Sequence, residues 1–542
     1  MNPPLDESDR IRQNTPEVLL DSTGDPGAFE FDVMGAEASS DLNWFQLLRA
    51  RTQARSSASN SYRWWVLAAL LAGVLALNFT FTVFIVSLPK VADEFHTSVT
   101  VLTWTMTGPL LAYGLAAPLL GKAGDVFGHR RLYLLGLGGA MAAAAATALA
   151  PDLITLIGAR ALEGVQGAAT GTASMALIMN TFEPQERVKA MGWWSLAAAG
   201  GPVIGVSVGA PVIEALGWRA LFWIQLVAIA VAFVVVFLIL PTTKRSPEVE
   251  AVERARARAE FRSMDWWGSS ALSLSVTALM LGLSLAPQEG WSSPIIISSM
   301  VVCVVGMAFF VVRIRTAANP LIPPHHFRQR NFVLPIVIRG TAAFAYFGAF
   351  YLFPLLMEEG YGSSISKVGA LAVLRPITFG LSAPIAGYLT VKVGERFSSI
   401  AGAVMLTVSL VLFGTLATSS SQLVIMAALV LAGMGMGVSM PASSAIMASE
   451  VAASEMGVMS AAQMLSMQVG EVAGIQLLVM LQQGSAKDRH LLDSGDHAAL
   501  LSTFHGPLLL GAAVGLVGVV CTFFLRSVPR DAERVEFYDA GH

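Results

Sequence analysis

Long apolar runs recur almost without interruption along this 542-residue chain, from about residue 64 to about residue 526. A helix crosses a bilayer core with roughly 20 consecutive apolar residues, because each backbone N–H and C=O must be satisfied within the segment. Runs of that length lie at about 64–88, 101–120, 132–150, 153–178, 189–211, 217–241, 266–287, 294–314, 331–356, 366–387, 398–417, 422–447, 455–482 and 504–526. The expected fold is therefore an all-α integral membrane protein with fourteen transmembrane helices, seated in a lipid bilayer. Composition agrees, since 13% of the residues are charged, about half the fraction usual in soluble domains.

The same composition excludes several functions. No basic patch interleaved with aromatics points to nucleic acid. Cys303 and Cys521 both fall inside apolar runs, so neither a disulfide framework nor a zinc spacing is expected. The adjacent His325 and His326 have no carboxylate near them in sequence and make a poor metal site. No nucleophile–base pair or phosphate loop suggests an enzyme, and no metal or cofactor is expected.

Loop cations set an expected orientation. Lys122, Arg130, Arg131, Arg187, Lys189, Arg313, Arg315, Lys392 and Arg396 fall in alternate loops, whereas the opposite loops hold few. The positive-inside rule then puts both termini in the cytoplasm, in keeping with an even span count. Residues 1–61 contain no apolar leader core and are expected to form a largely disordered cytoplasmic tail. Around Trp44, Phe45 and Leu48 the tail has a short amphipathic stretch.

Polar residues inside apolar runs are costly, by about 3 kcal/mol or more for a charge, and mark candidate pathways. Arg160 and Glu163 are three residues apart in the fourth run and share a helix face. They form either a neutralising pair that holds the bundle or a proton site. Arg339, Arg375 and Glu471 are the other intramembrane charges, and Asn78 and Thr80 are polar positions in the first run. Two acids against three arginines give an expected net positive interior, which favours anionic or amphipathic substrates. Eight methionines between Met434 and Met467 are expected to serve as packing.

Between the second and third runs lies Gly121-Lys122-Ala123-Gly124-Asp125-Val126-Phe127-Gly128-His129-Arg130-Arg131, expected as a tight charged loop. Its Gly-x3-Asp-x2-Gly-x-Arg-Arg pattern resembles the corresponding loop of the major facilitator superfamily, with Val126 where an arginine is usual. The resemblance implies a conformational latch built on Gly121, Asp125, Gly128, Arg130 and Arg131, with Asp125 engaging a helix end. A weaker echo runs from Gly387 to Arg396 and lacks the aspartate. Span four, with Arg160 followed by Glu163-Gly164-Val165-Gln166-Gly167, resembles that superfamily's fourth-span motif, with Glu163 where glutamine is usual. Span five, with Gly201-Pro202-x-x-Gly205 and then Gly209, resembles its antiporter signature, which is associated with export. In span one, Thr82, Leu88 and Pro89 match a family motif, but Thr80 replaces its aspartate and Ile85 its asparagine.

The fourteen-span version resembles the drug:proton antiporters. The resemblance implies two six-helix bundles at 62–241 and 331–526, a cytoplasmic linker at 242–265, two inserted helices and a connector at 266–330, and a cytoplasmic tail at 527–542. It implies a monomeric, plasma-membrane secondary transporter that exports amphipathic small molecules or drugs by alternating access in exchange for protons. Because Thr80 cannot titrate, a facilitator or a lipid or metabolite exporter without proton coupling is the alternative.

Overall fold

The apolar runs fold into helices that outlast them. In the computed structural model the described residues are 62–97, 104–240, 265–317, 319–452, 455–488 and 497–527, with isolated positions at 102, 255, 259 and 263. The two tails, the 242–264 linker apart from isolated positions, and residues 489–496 lie outside them, as do the side chains of Thr82, Leu88, Pro89, Pro202 and Gly205. The helices are α1 Tyr62–Glu94, α2 Trp104–Phe127, α3 His129–Ala148, α4 Leu153–Thr181, α5 Pro184–Leu216 and α6 Arg219–Ile239. They continue with α7 Trp266–Glu289, α8 Pro294–Thr316, α9 Arg330–Leu355, α10 Ile365–Ala372, α11 Leu374–Val393, α12 Glu395–Gly414, α13 Gln422–Ala448, α14 Met456–Asp488 and α15 His497–Phe523. Among the described residues, twelve helices are long and apolar enough to cross a membrane, with α10 and α11 forming one span. The helices α4 and α5, of 29 and 33 residues, are not among those twelve.

One expectation is corrected. The Gly121–Arg131 stretch is not a loop. Helix α2 runs through Gly121, Gly124 and Asp125 to Phe127, and α3 begins at His129. Small residues here do not interrupt the hydrogen-bond ladder; they let another helix approach. The turn is the single residue Gly128, at φ 94°, a left-handed conformation that favours glycine. The echo behaves alike: α11 continues to Val393, and Gly394 turns at φ 96°. The tenth span, by contrast, breaks at Val373. Pro376 has no N–H to donate to the Ala372 carbonyl, so the ladder fails there.

The packing repeats. Helix α1 lies against α5 and α6, and α9 against α14 and α15. Helix α4 joins α2 and α3 as α13 joins α11 and α12. The sets meet where α14 packs on α2 and α4 and where α5 packs on α11 and α13, and the α2–α14 and α5–α11 crossings are made at glycines. A methyl group on Gly121 would stand 2.7 Å from the Ala461 methyl and from the Gly457 carbonyl oxygen. One on Gly387 would stand 2.9 Å from Lys189 Cα and the Val188 carbonyl oxygen. Helix α7 lies over both α2 and α14, and α8 packs on α7. Asp265 staples this pair, accepting 3.0 and 2.7 Å hydrogen bonds from Arg313 while capping α7 through Gly268 N. Elsewhere large apolar side chains such as Leu135, Val227, Val304 and Leu516 are exposed on the outside of the bundle, the surface that lipid covers.

Candidate functional site

Two polar sites are built into this frame. The first lies in the α1–α6 set. Arg160 and Glu163, one turn apart on α4, form an ion pair in which both groups are largely buried. The arginine also donates to the Thr105 carbonyl of α2 at 3.2 Å, and its guanidinium lies 5.6 Å from the Phe222 ring centre on α6. The carboxylate accepts from Gln225 of α6 at 2.9 Å and from Thr80 of α1 at 3.5 Å. Thr80 and Glu163 are thus neighbours, and an acid contributed by α4 stands beside the α1 position where the resemblance expected one. Gln225 escaped the sequence reading, although a lone amide in the apolar run 219–239 is a usable signal. Asn78 does not join this group. Its amide turns back to Val74 of its own helix at 2.8 Å. Gly201 packs on that residue, since a methyl there would stand 2.7 Å from the Asn78 Cβ. Gly209 is buried.

The α9–α15 set holds the other three charges apart. Arg375 is fully buried, donates to the Tyr346 carbonyl and stacks 4.1 Å from the Tyr346 ring centre. Arg339 donates from Nη1 to Ser444 at 3.0 Å and to Gln463 at 3.2 Å. Glu471 is buried, with no hydrogen bond or ion pair among the described residues.

The second site lies at the α2–α14 crossing. Asp125 accepts from the backbone N–H groups of Gly457 at 2.7 Å and Val458 at 3.1 Å, in the first turn of α14. A carboxylate suits that position, because the first N–H groups of a helix lack internal partners and carry partial positive charge. His129 lies 3.2 Å from the same carboxylate. Arg130 instead donates to the Leu240 and Phe237 carbonyls, at the end of α6. A complementary contact that sequence did not reveal is Arg187 of α5, which donates to Ala448 O at the last turn of α13 at 3.3 Å. A cation there meets the negative end of a helix.

Next to this crossing, His326 bonds to Gln329 at 2.8 Å and to Glu455 at 2.9 Å, so its carboxylate comes from 129 residues away. Burial opposes charge on His326, but the hydrogen bonds to Glu455 and Gln329 outweigh it and raise its pKa. The hydrogen bond from His326 holds the Glu455 carboxyl below its usual range, against burial. A raised imidazole pKa adds stability that is complete below the unfolded value and lost as pH rises through the folded one. A lowered carboxyl pKa adds stability present above the unfolded value and lost on acidification through the folded one. The pair is therefore strongest in mild acid. In thermal melts between about pH 6 and about pH 8, wild type should lose more stability than His326→Gln. Parallel melting curves across that range would show that the pair contributes nothing.

Membrane-length helices in two like-packed sets, with buried charges within and a helix-end contact between them, define a multi-pass membrane transporter. The chain belongs to the major facilitator superfamily, whose family model matches residues 68–322 and 335–537. Its relatives include resistance and export proteins. It is 27% identical over 427 residues to the tetracenomycin C resistance and export protein of Streptomyces glaucescens, covering 78% of this chain and 77% of that one. It is 29% identical over 476 residues to the puromycin resistance protein of Streptomyces alboniger, covering 84% and 89%. The solved structure of a proton:xylose symporter superposes with a TM-score of 0.60 over 86% of this chain and 96% of its own, at 12% identity, a likeness of fold alone.

Proposed function

We propose that this protein exports amphipathic small molecules or drugs across the cell membrane by alternating access, in exchange for protons, with Glu163 as the coupling acid. The carrying observation is the Glu163 carboxylate, buried between Arg160, Gln225 and Thr80. Arg160 holds the carboxylate in an ion pair, for which a proton or a substrate can compete. The drug-resistance and export relatives support efflux as the direction. Fourteen spans, two six-helix halves and an inserted α7–α8 pair complete the reading, and the repeated packing supports the halves. The alternation of loop cations supports cytoplasmic termini at the Asp125 end. Asp125 on α14 and Arg187 on α13 are the contacts that hold that end shut. Glu471, Arg339 and Arg375 belong to the pathway through the other half.

Inside-out vesicles with an acid lumen and a pH-sensitive dye test this. A panel of amphipathic compounds should release protons from wild-type vesicles and not from Glu163→Gln vesicles. Release that survives the mutation moves the coupling role to another acid. A transporter without proton coupling is the second reading, favoured by the absence of a titratable group at Thr80. It predicts labelled substrate movement with no proton release in wild type.

A further inference from the structure

The three buried arginines are not equivalent. Arg160 has a carboxylate partner; among the described residues Arg375 leaves Nε and Nη1 without an acceptor, but its guanidinium is stacked on the Tyr346 ring and does not line the cavity at Arg339. Arg339 is 2% exposed and, among the described residues, has only neutral hydrogen-bond partners, both at Nη1. Among the described residues its Nε and Nη2 are buried with no acceptor. Arg339 lines a small cavity together with Met436, Ser439, Met440 and Ser443. From the other set of helices, the Tyr113 hydroxyl of α2 is also buried without a partner and lies within electrostatic range of Arg339. Gly171 makes room for it, since a methyl there would stand 3.0 Å from that hydroxyl. A cation and a phenol, both with unused donors and held on opposite sets of helices, lack only an acceptor. Leaving such donors dry is costly, so the site is built for an occupant that brings negative oxygen.

We propose that Arg339 and Tyr113 form a subsite for an anionic oxygen group, such as a carboxylate, phenolate or sulfonate, on an amphipathic substrate. The planar guanidinium offers two parallel donors that fit such a group. The adjoining methionines give an adaptable apolar wall for the body of the molecule. An anion held by α9 and α2 together would bind both halves at once. The proposal rests on the efflux reading for the word substrate; the binding site itself does not.

Two xanthene dyes of similar size and opposite charge, carboxyfluorescein and rhodamine 123, separate the possibilities. Binding to purified full-length protein is read by fluorescence anisotropy, and transport by the same protein in liposomes. Wild type should bind the anion at least about tenfold more tightly than the cation. Arg339→Gln should abolish that preference. Arg339→Lys should keep part of it, because charge remains and the fork is lost. Tyr113→Phe, which keeps the ring, should weaken only the anion, and it tests the site should the arginine variants not fold. Equal affinity for the two dyes, binding of neither, or a preference that survives both Arg339→Gln and Tyr113→Phe would overturn the subsite while leaving efflux intact. Anion binding through Arg339 without transport of either dye would support the subsite and count against the efflux reading.

Discussion

Asp125→Asn should leave a folded protein that no longer confers efflux. The carboxylate accepts from two N–H groups on the first turn of α14, and an amide in the same place offers one oxygen and no charge. A hydrogen bond to a charged group is worth about 1.5–3 kcal/mol, enough to shift an equilibrium between two conformations by about tenfold or more. The closed arrangement at this crossing should lose population by that factor. A cysteine introduced at Ala461, against Gly121, reports it: thiol labelling should rise in the Asp125→Asn background. Unchanged labelling, or full drug resistance in cells, would mean that the contact closes nothing.

Gly164→Val should do more damage than Gly121→Val, and of another kind. A methyl group on Gly164 would stand 2.6 Å from Pro109 Cα, at the α2–α4 crossing within one half. The obstacle is backbone, so relief requires the two helices to part, and overpacking of this kind costs about 1–3 kcal/mol or more. The expected result is a several-fold loss of monodisperse protein on size-exclusion chromatography. Gly121 lies at the α2–α14 crossing, where the sets separate as bodies on the alternating-access proposal. Gly121→Val should therefore fold and fail to transport. Equal yields for the two variants would contradict the distinction drawn here between crossings inside a set and crossings between sets.

Helix positions were legible because lipid demands one pattern, about twenty apolar residues, and a helix is the only way to satisfy their backbones alone. The boundaries were less legible. Gly121, Gly124 and Gly387 look like loop residues in sequence, yet they are helical, because a glycine held in a packed crossing has no reason to turn. Gly128 and Gly394, in the same two stretches, do turn. The candidate residues themselves could be picked out, since a buried charge is conspicuous among apolar neighbours. Their grouping could not. Thr80 and Gln225 lie 83 and 62 residues in sequence from Glu163, the acid they share. Arg187 reaches a carbonyl 261 residues away, and a carbonyl leaves no trace in residue type.

The position of α7 makes the two crossings unequal toward the bilayer. At α2–α14 the inserted helix lies across the joint like a gasket, with α8 behind it. At α5–α11, among the described residues, neither α7 nor α8 packs in this way, and Leu381, Ile385 and Tyr388 of α11 are exposed. Acyl chains therefore touch one joint directly and reach the other only past protein. A molecule dissolved in the membrane therefore meets the α5–α11 joint directly and the α2–α14 joint only past α7.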